Sequence, residues 1–296
     1  MRRYRILCIA AFGLITIAVA LLAGIWIAGD VLIHPAAAKI GTPPPDFPAR
    51  PVAFKSSSGA LIQGWFAPGQ GSGAVLLLHG VRANRLSMLE RAKFLHAAGY
   101  SVMLIDFQAS GESTGQAITF GYLEAKDAAA ALARLKALAP GQRVGIIGTS
   151  MGGAATLLAD PPLDVDAMVL EQVYPTLSQA VNDRLELHAG ALGRWFAPLL
   201  ISTVRPHLGI TVDQMRPIDR IGQIHIPILL IVGDADQHTR LDESMAMYKT
   251  ASPPKELWVI HGAKHVDLYR YSGNAYEVRI LAFFNTWLRR PPPSMQ

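Results

Sequence analysis

The hydrophobic positions of this chain fall into two patterns, and the first is a long apolar run near the start. No charged residue lies between Arg5 and Asp30, and the run from Ile6 to Gly29 is apolar almost throughout. At about 1.5 Å of rise per residue, a helix over this run reaches roughly 36 Å, enough to cross a hydrocarbon core of about 30 Å. The pattern therefore predicts one N-terminal transmembrane helix, to which we assign residues 1–33.

The flanking residues of this run indicate its orientation. Arg2, Arg3 and Arg5 favour a cytoplasmic N-terminus, and Trp26 lies where an aromatic belt is expected. The remaining residues are then predicted to lie on the outer side of the membrane. Two alternatives stay open: a signal peptide cleaved near 36–38, which would give a secreted protein, and a buried helix of a soluble domain. The apolar core of a signal peptide usually has only about 7–15 residues, which favours the anchor.

The second pattern is an alternation of short apolar runs with longer helical stretches. Runs typical of strands are Ala74–Leu78, Val102–Ile105, Val144–Ile147, Met168–Leu170, Ile228–Val232 and Leu257–Ile260. Stretches typical of helices include Leu86–Ala98 and Tyr122–Leu138. Such alternation predicts a mostly parallel sheet covered by helices on both faces. Earlier, Val52–Lys55 and Leu61–Phe66 flank a turn sequence and predict an antiparallel hairpin.

Two segments do not follow the alternation. Five prolines in Gly41–Pro51 predict a stiff, extended linker, here assigned to residues 34–51. The folded domain then comprises residues 52–290. Inside it, residues 175–217 are too long for a simple crossover and are apolar around Trp195, which predicts a small helical cap. The alternative is an ordinary helix with long loops.

Composition narrows the possible classes of protein. Hydrophobic residues make up 51% and charged residues 17%, with a mean hydropathy of +0.26, which excludes a disordered chain. A single cysteine, Cys8, excludes an internal disulfide framework and a multi-cysteine metal site. The net charge is +5, but the basic residues are dispersed and form no cluster with exposed aromatics. No nucleic-acid partner is therefore expected.

The strongest local motif is a glycine-flanked serine. An apolar strand from Val144 runs into the Gly-x-Ser-x-Gly sequence 148–152, and a helix rich in small residues begins after it. This strand-turn-helix context places Ser150 on a sharp turn, with the helix N-terminus directed at developing negative charge. We interpret Ser150 as a nucleophile. The alternative is a glycine-rich packing turn.

A serine nucleophile needs a base and an orienting acid. The best base is His265, in the loop that follows the last predicted strand. Among the other histidines, His79 precedes a glycine at a strand end and fits a loop-shaping role better. For the acid we choose Asp236, which follows Ile228–Val232 and is far enough into its loop to reach a neighbouring histidine. Asp234 fits better as a turn residue.

One competitor for the acid remains open. Glu171 directly follows Met168–Leu170, so its carboxylate also lies at a predicted strand end and could reach the same histidine.

These motifs resemble the α/β-hydrolase superfamily over nearly all of residues 50–290. The order Ser150, Asp236, His265 is the order of nucleophile, acid and base in that superfamily. The chain looks most like its membrane-anchored or secreted serine hydrolases, in the monoacylglycerol-lipase-like and acyl-peptidase-like branches. The resemblance implies a mostly parallel, eight-stranded sheet with a small helical cap, preceded here by the transmembrane helix.

The resemblance also implies an oxyanion hole. The sequence 76–81 looks like the His-Gly turn after the third strand of the family, which gives the backbone N–H of Val81 that role, with the N–H of Met151 as its partner. A further family pattern, Asp-x-Arg-Gly-x-Gly-x-Ser, reads 106–113 here and departs from it at Gln108 and Ala109. Where the family has glycine before the histidine, this chain has Lys264.

Together these features predict a serine hydrolase acting on an ester or related acyl bond of a small molecule. Thioester, amide and peptide hydrolysis use the same machinery, so the bond itself stays open. No metal or organic cofactor is implied. Two other functions are kept as alternatives: a non-catalytic binding protein on the same fold, and acyl transfer to an acceptor other than water.

Overall fold

A mostly parallel sheet forms the centre of the molecule. The structure is a computed structural model that describes residues 2–289. Its strands are β1 (Ala36–Ala37), β2 (Arg50–Lys55), β3 (Leu61–Ala67), β4 (Ala74–Leu78), β5 (Ser101–Ile105), β6 (Ser110–Gly111), β7 (Val144–Thr149), β8 (Ala167–Glu171), β9 (Ile228–Gly233) and β10 (Lys255–Ile260). Eight of these form one sheet in the order β10-β9-β8-β7-β4-β5-β3-β2. The predicted fold class is confirmed.

The strand directions place several loops at one edge of the sheet. Strands β4, β5 and β7–β10 pair in parallel, whereas β2 and β3 run antiparallel to their neighbours. The register pairs Thr149 with Glu171, and Glu171 with Ile231. The carboxyl ends of β7, β8 and β9 are therefore level with one another. The loops after these strands meet at the edge where an open parallel sheet normally carries its site.

Helices cover both faces of this sheet. The helices of the described residues are α1 (Arg2–Ile33), α2 (Leu89–Ala97), α3 (Glu124–Leu138), α4 (Met151–Leu158), α5 (Leu177–Ala189), α6 (Ala191–Ser202), α7 (Val204–Leu208), α8 (Pro217–Ile221), α9 (Leu241–Thr250), α10 (Leu268–Ser272) and α11 (Asn274–Leu288). Alternate residues of β4 enter different cores, with Leu76 and Leu78 on one face and Val75 and Leu77 on the other. Because both faces are covered, the central strands are hydrophobic at every position instead of every second one.

Two predicted helices begin later than their hydrophobic pattern indicated. The stretch 86–98 divides into a 3₁₀ turn (Arg85–Met88) and α2, since the Asn84 side chain accepts from the backbone N–H of Leu86. Helix α3 begins at Glu124, whose buried carboxylate accepts from the backbone N–H groups of Thr119 and Gly121. In both places a side chain binds backbone N–H groups of the turn before the α-helix, so that turn does not become part of the helix.

Residues 175–217 form a helical insertion above the carboxyl edge of the sheet. It contains α5, α6 and α7, followed by a 3₁₀ turn over Val212–Gln214. Its small apolar cluster is built on Leu177, Ile210 and Met215. Helix α6 leaves Leu192, Trp195 and Leu199 exposed on one face, Trp195 to 79%.

The segment 34–51 lies against the domain along much of its length. Strand β1 pairs with β6, and the backbone N–H groups of Ile40 and Gly41 donate to the Glu112 carboxylate. Phe47 is 2% exposed and packs in the same core as Trp65. Its prolines keep this segment extended, while its apolar side chain and backbone groups fasten it to the fold.

This packing predicts that Phe47→Ala destabilises the whole domain. Truncating a buried phenylalanine costs about 3–5 kcal/mol, because apolar contact is lost and a cavity remains. For a domain of this size we expect the melting temperature of the detergent-solubilised chain to fall by roughly 6–12 °C. Val278→Ala, at a position that is 60% exposed on α11, is the control and should leave the transition unchanged. Equal melting temperatures for the native chain and Phe47→Ala would contradict the packing.

Candidate active site

Ser150 lies on a strained turn between β7 and α4. Its backbone has φ +50° and ψ −113°, a region that residues with a side chain rarely adopt. A Cβ at Gly152 would clash with the carbonyl oxygen of Leu78, and one at Gly148 would lie 2.7 Å from the Cα of Gly153. Glycine at both positions therefore permits the close packing of β4, β7 and α4 that fixes the turn. The Gly-x-Ser-x-Gly spacing has a steric reason here.

Ser150 and His265 line one cavity at the carboxyl edge of the sheet. The cavity has a volume of about 420 Å³, and Gln172, Arg184 and His238 also contribute to its wall. Ser150 is 5% exposed, and its backbone N–H donates to the carbonyl of Glu171 at 2.7 Å. The nucleophile position is thus tied to the neighbouring strand as well as to its own helix.

The structure brings His265 together with Asp236. Nδ1 of His265 lies 2.8 Å from Oδ2 of Asp236, and the Asp236 side chain is almost fully buried. The other carboxylate oxygen, Oδ1, accepts from the backbone N–H groups of His238 and Thr239. Burial by itself raises the pKa of Asp236, but these hydrogen bonds and the His265 imidazole outweigh it and hold the pKa below its ordinary value. An ionised Asp236 keeps the proton of the imidazole on Nδ1, so that Nε2 is the basic nitrogen.

Gln172 also holds this acid in place, and sequence reasoning did not find it. Its Nε2 donates to Oδ2 of Asp236 at 2.9 Å and to the carbonyl of Lys264 at 2.8 Å. One side chain therefore connects the acid to the loop that carries the histidine. Gln172 directly follows β8 and has φ +49°. Its position at the end of a central strand is the one sequence signal that pointed to it.

The two residues assigned to the oxyanion hole lie close to the nucleophile, since Val81 lines the same cavity as Ser150 and Met151 directly follows Ser150. Val81 follows Gly80, where a Cβ would lie 3.6 Å from the Cβ of Ser150. Within residues 2–289, the backbone N–H groups of Val81 and Met151 have no hydrogen-bond acceptor. Two free N–H groups beside a serine hydroxyl can bind a developing oxyanion.

His79 has the loop-shaping position that the sequence favoured. It is fully buried; its Nε2 accepts from the backbone N–H of Phe107, and its Nδ1 lies 2.7 Å from the carbonyl of Gly80. Burial lowers the pKa of His79 to about 4. The neutral ring joins the loops after β4 and β5 below the cavity.

The two alternative acids have other partners. Asp234 bonds Nδ1 of His261 and the backbone N–H of Gly262 at the protein surface. Glu171 is fully buried and pairs with Arg91, whose Nη2 lies 2.9 Å from Oε2. The Glu171 carboxylate also accepts from the hydroxyl groups of Thr149 and Tyr276.

This buried network joins the nucleophile strand to the histidine loop. Besides Glu171, the Arg91 guanidinium binds Asp267 at 2.8 Å, two residues after His265. Thr149, the residue before Ser150, is bonded to the same Glu171 carboxylate. Glu171 and Arg91 therefore position both sides of the site from below, without contacting the imidazole.

A larger groove of about 820 Å³ lies elsewhere, beside α3 and the loop 159–164, and none of the candidate catalytic side chains lines it. Several of its charges are paired across exposed contacts, such as Lys136 with Asp164 at 2.6 Å and Arg220 with Asp160 at 3.6 Å. The candidate catalytic side chains are at the smaller cavity.

Comparison with known proteins agrees with this architecture. The family model described as "Serine aminopeptidase, S33" (Hydrolase_4) matches residues 69–209, from before β4 to just after α7. The uncharacterized protein MT2364 of Mycobacterium tuberculosis is 29% identical over 272 residues, which cover 88% of this chain and 86% of that protein. The uncharacterized protein YfhR of Escherichia coli K12 is 25% identical over 251 residues, with 81% and 82% of the two chains covered.

Solved structures place the fold in a known class. The esterase Pf2001 of Pyrococcus furiosus matches with a TM-score of 0.71 and 24% identity, covering 87% of this chain and 98% of the other. The esterase EaEST of Exiguobacterium antarcticum matches with a TM-score of 0.61 and 18% identity, covering 79% and 99%. Similarities at these identities establish the fold, and the resemblance found in the sequence is thereby confirmed at that level.

The network below the site predicts a large loss of stability for Glu171→Gln. The variant leaves the buried Arg91 guanidinium without its main counter-charge, and breaking such a pair costs about 3–5 kcal/mol. Chemical denaturation followed by circular dichroism measures the change. Asp164→Asn removes a carboxylate from an ion pair of similar length whose Asp164 side chain is 96% exposed, and should leave stability almost unchanged. Similar losses for the two variants would contradict a structural role for the network.

Proposed function

Because the chain has the α/β-hydrolase fold, we propose that it is a serine hydrolase that cleaves an ester or related acyl bond. The observation that carries the proposal is the hydrogen bond of 2.8 Å between His265 and Asp236, in a cavity that Ser150 shares. The family model and the esterases among the structural neighbours support a hydrolytic function. Esters are favoured over peptides because two of the compared structures are named esterases.

In the proposed mechanism, Oγ of Ser150 attacks the carbonyl carbon while Nε2 of His265 takes the hydroxyl proton. The carbonyl electrons move onto oxygen, and the amides of Val81 and Met151 stabilise that oxyanion. The intermediate collapses, the bond to the leaving group breaks, and His265 donates its proton to the departing oxygen. Water, deprotonated by His265, then hydrolyses the acyl-enzyme and frees Ser150. Asp236 fixes the imidazole and stabilises its charged form throughout.

We further propose that α1 is a retained membrane anchor, with the catalytic domain on the outer side. Its span covers Arg3–Ile33, and its most apolar 18-residue stretch has a mean hydropathy of 2.8 and is wholly unburied. The C-terminal end of the helix packs on the cap, with the Trp26 and His207 rings 4.2 Å apart and a Cβ at Gly29 overlapping the Thr203 side chain. These contacts support a helix that stays with the domain.

The alternative cleavage region is itself part of the fold. The backbone N–H groups of Ala36 and Ala38 donate to the carbonyls of Ala109 and Gly111, both at 2.8 Å. Cleavage near these alanines would remove strand β1 as well as the helix contacts. The exposed apolar face of α6 lies on the same cap that contacts α1, which suits a surface next to a bilayer.

Substitutions in the triad test the hydrolase proposal. Ser150→Ala is expected to lower turnover of a short-chain ester by roughly 10⁴-fold or more, since the nucleophile is removed. Asp236→Asn should lower kcat by about 10⁴-fold, because the imidazole loses the partner that fixes its tautomer. Steady-state kinetics with a chromogenic ester and covalent labelling by a fluorophosphonate measure both effects.

The chain supplies a matched control for this experiment. His261 and Asp234 form a second pair, also 2.8 Å apart, but the His261 side chain is 91% exposed and lies outside the cavity. Asp234→Asn should therefore leave turnover nearly unchanged. Native turnover that survives Ser150→Ala would overturn the proposal. Absence of both turnover and labelling in the native chain would favour a binding protein, and products formed with added alcohols would favour acyl transfer.

Retention of the anchor predicts an intact membrane-bound chain. Mass spectrometry of the membrane fraction should give the full 31.9 kDa, resistant to alkaline extraction. Placing charges at Leu14 and Ile17, for example Leu14→Arg with Ile17→Arg, should release the chain, because each arginine at a helix centre costs about 2.5–3.5 kcal/mol of insertion free energy. A soluble species that begins after residue 38 would show cleavage instead.

A further inference from the structure

The cap contributes a cation to the cavity that holds Ser150. Arg184 lies on α5 and lines the same 420 Å³ space as Ser150 and His265. The charge of its guanidinium interacts with the side chains of Tyr174 and Asp236. An arginine stays charged at any physiological pH, so its position beside a nucleophile and a base requires an explanation.

Acidic residues close to Arg184 along the helix are engaged elsewhere. Asp183 and Glu186 both bind Arg240, with N···O distances of 3.1 and 2.6 Å. Within the described part of the chain, the Arg184 guanidinium itself has neither an ion pair nor a hydrogen bond. The cap therefore places a guanidinium with free donors against the cavity.

The other arginines of the cavity wall are already bound. Arg82 donates to the carbonyls of Val31 and His34, and Arg91 is held by Glu171 and Asp267. These two cations have structural partners that account for them.

Asp236 is not free to neutralise Arg184. Its oxygens are occupied by His265, Gln172 and two backbone N–H groups. Burial lowers the pKa of Arg184, and the attraction of Tyr174 and Asp236 offsets this only in part. A partly buried cation without a bonded acceptor is costly, and a ligand that supplies one would recover that cost.

His238 adds a second unsatisfied group at the same wall. Its ring stacks on that of His265 with centroids 5.0 Å apart, and its buried Nδ1 has no hydrogen-bond partner within residues 2–289. Burial first, and then the charge of Arg184, lower the pKa of His238, so the ring is neutral and able to donate. Arg184 and His238 thus both line the cavity, and each has a polar group without a bonded partner in the described part of the chain.

The free charge also affects the proposed chemistry. Arg184 and His265 line the same cavity, so an anionic group bound at Arg184 would neutralise its positive charge beside the proposed reacting groups. The arrangement is unfavourable for a neutral substrate and favourable for a negatively charged one.

We propose that Arg184, with His238 beside it, binds an anionic group of the substrate, a carboxylate or a phosphate, close to the acyl bond that Ser150 attacks. The proposal rests on the hydrolase function above. It makes Arg184 a specificity-determining residue, carried by the cap instead of the sheet.

Paired substrates test the charge preference and separate its sources. p-Nitrophenyl butyrate and p-nitrophenyl hydrogen glutarate differ by a carboxylate on the acyl side. 1-Butyrylglycerol and its 3-phosphate differ by a phosphate on the alcohol side. In at least one pair the native chain should have a kcat/KM about ten- to a hundredfold higher for the anion, as expected of a charge-assisted hydrogen bond. The pair in which the anionic ester is preferred shows whether the charge belongs to the acyl side or the alcohol side of the substrate.

Variants of Arg184 test whether this residue causes the preference for anionic substrates. Arg184→Gln should abolish it by lowering kcat/KM far more for the anionic ester than for the neutral ester, and Arg184→Lys should retain part of it. Arg194→Gln is the matched control, because Arg194 lies on the same cap with a side chain that is 62% exposed and bound to Glu186. It should leave the preference intact. Inhibition of the native chain by glutarate or glycerol phosphate, against neutral analogues, gives a readout that needs no variant.

Two results would overturn the proposal. One is a native enzyme that turns over the neutral ester but prefers no anion and is not inhibited by one. The other is an equal fall for neutral and anionic esters in Arg184→Gln, which would assign a structural role. If the native chain lacks turnover that depends on Ser150 altogether, the hydrolase proposal fails first, so the two failures are distinguishable.

Discussion

The candidate site depends on one unfavourable backbone conformation that close packing maintains. A non-glycine residue at φ +50° costs about 1–3 kcal/mol, and Ser150 adopts it because β4, β7 and α4 approach too closely for any other path. Gly148 and Gly152 allow that approach, and no side chain fits at either position. The hydroxyl is thereby presented at the end of a buried strand, where the helix N-terminus and two free amides meet. Every other candidate residue is arranged around that point.

Much of this architecture could be predicted because its causes are local. Fully buried parallel strands have continuous apolar runs, so the six runs of the parallel sheet and the preceding hairpin were visible in the sequence. The serine turn was visible because sterics fix its glycine spacing. The choice of Asp236 over Asp234 followed from reach, and the structure places Asp236 next to His265 while Asp234 bonds His261.

What the sequence did not reveal depends on contacts between distant residues. Gln172 looks like any polar residue after a strand, and only the fold brings it to Asp236. The competition between Glu171 and Asp236 stayed open for the same reason, since the arginine that engages Glu171 lies 80 positions away on α2. The prolines of residues 34–51 indicated a stiff segment but not that it packs against the domain. The burial of Phe47 depends on core residues that are distant in the sequence.

One contact connects the proposed anchor to the candidate site. Arg82, the residue after Val81, donates through Nη1 to the carbonyls of Val31 and His34, both at 3.2 Å, at the C-terminal end of α1. The loop that carries one of the proposed oxyanion amides is therefore fastened to the end of the proposed anchor, whose tilt a lipid bilayer would set. With α1 embedded in a bilayer, the thickness of that bilayer would affect the position of this loop. Removing the chain from lipid would then change the loop position even with every side chain of the cavity intact.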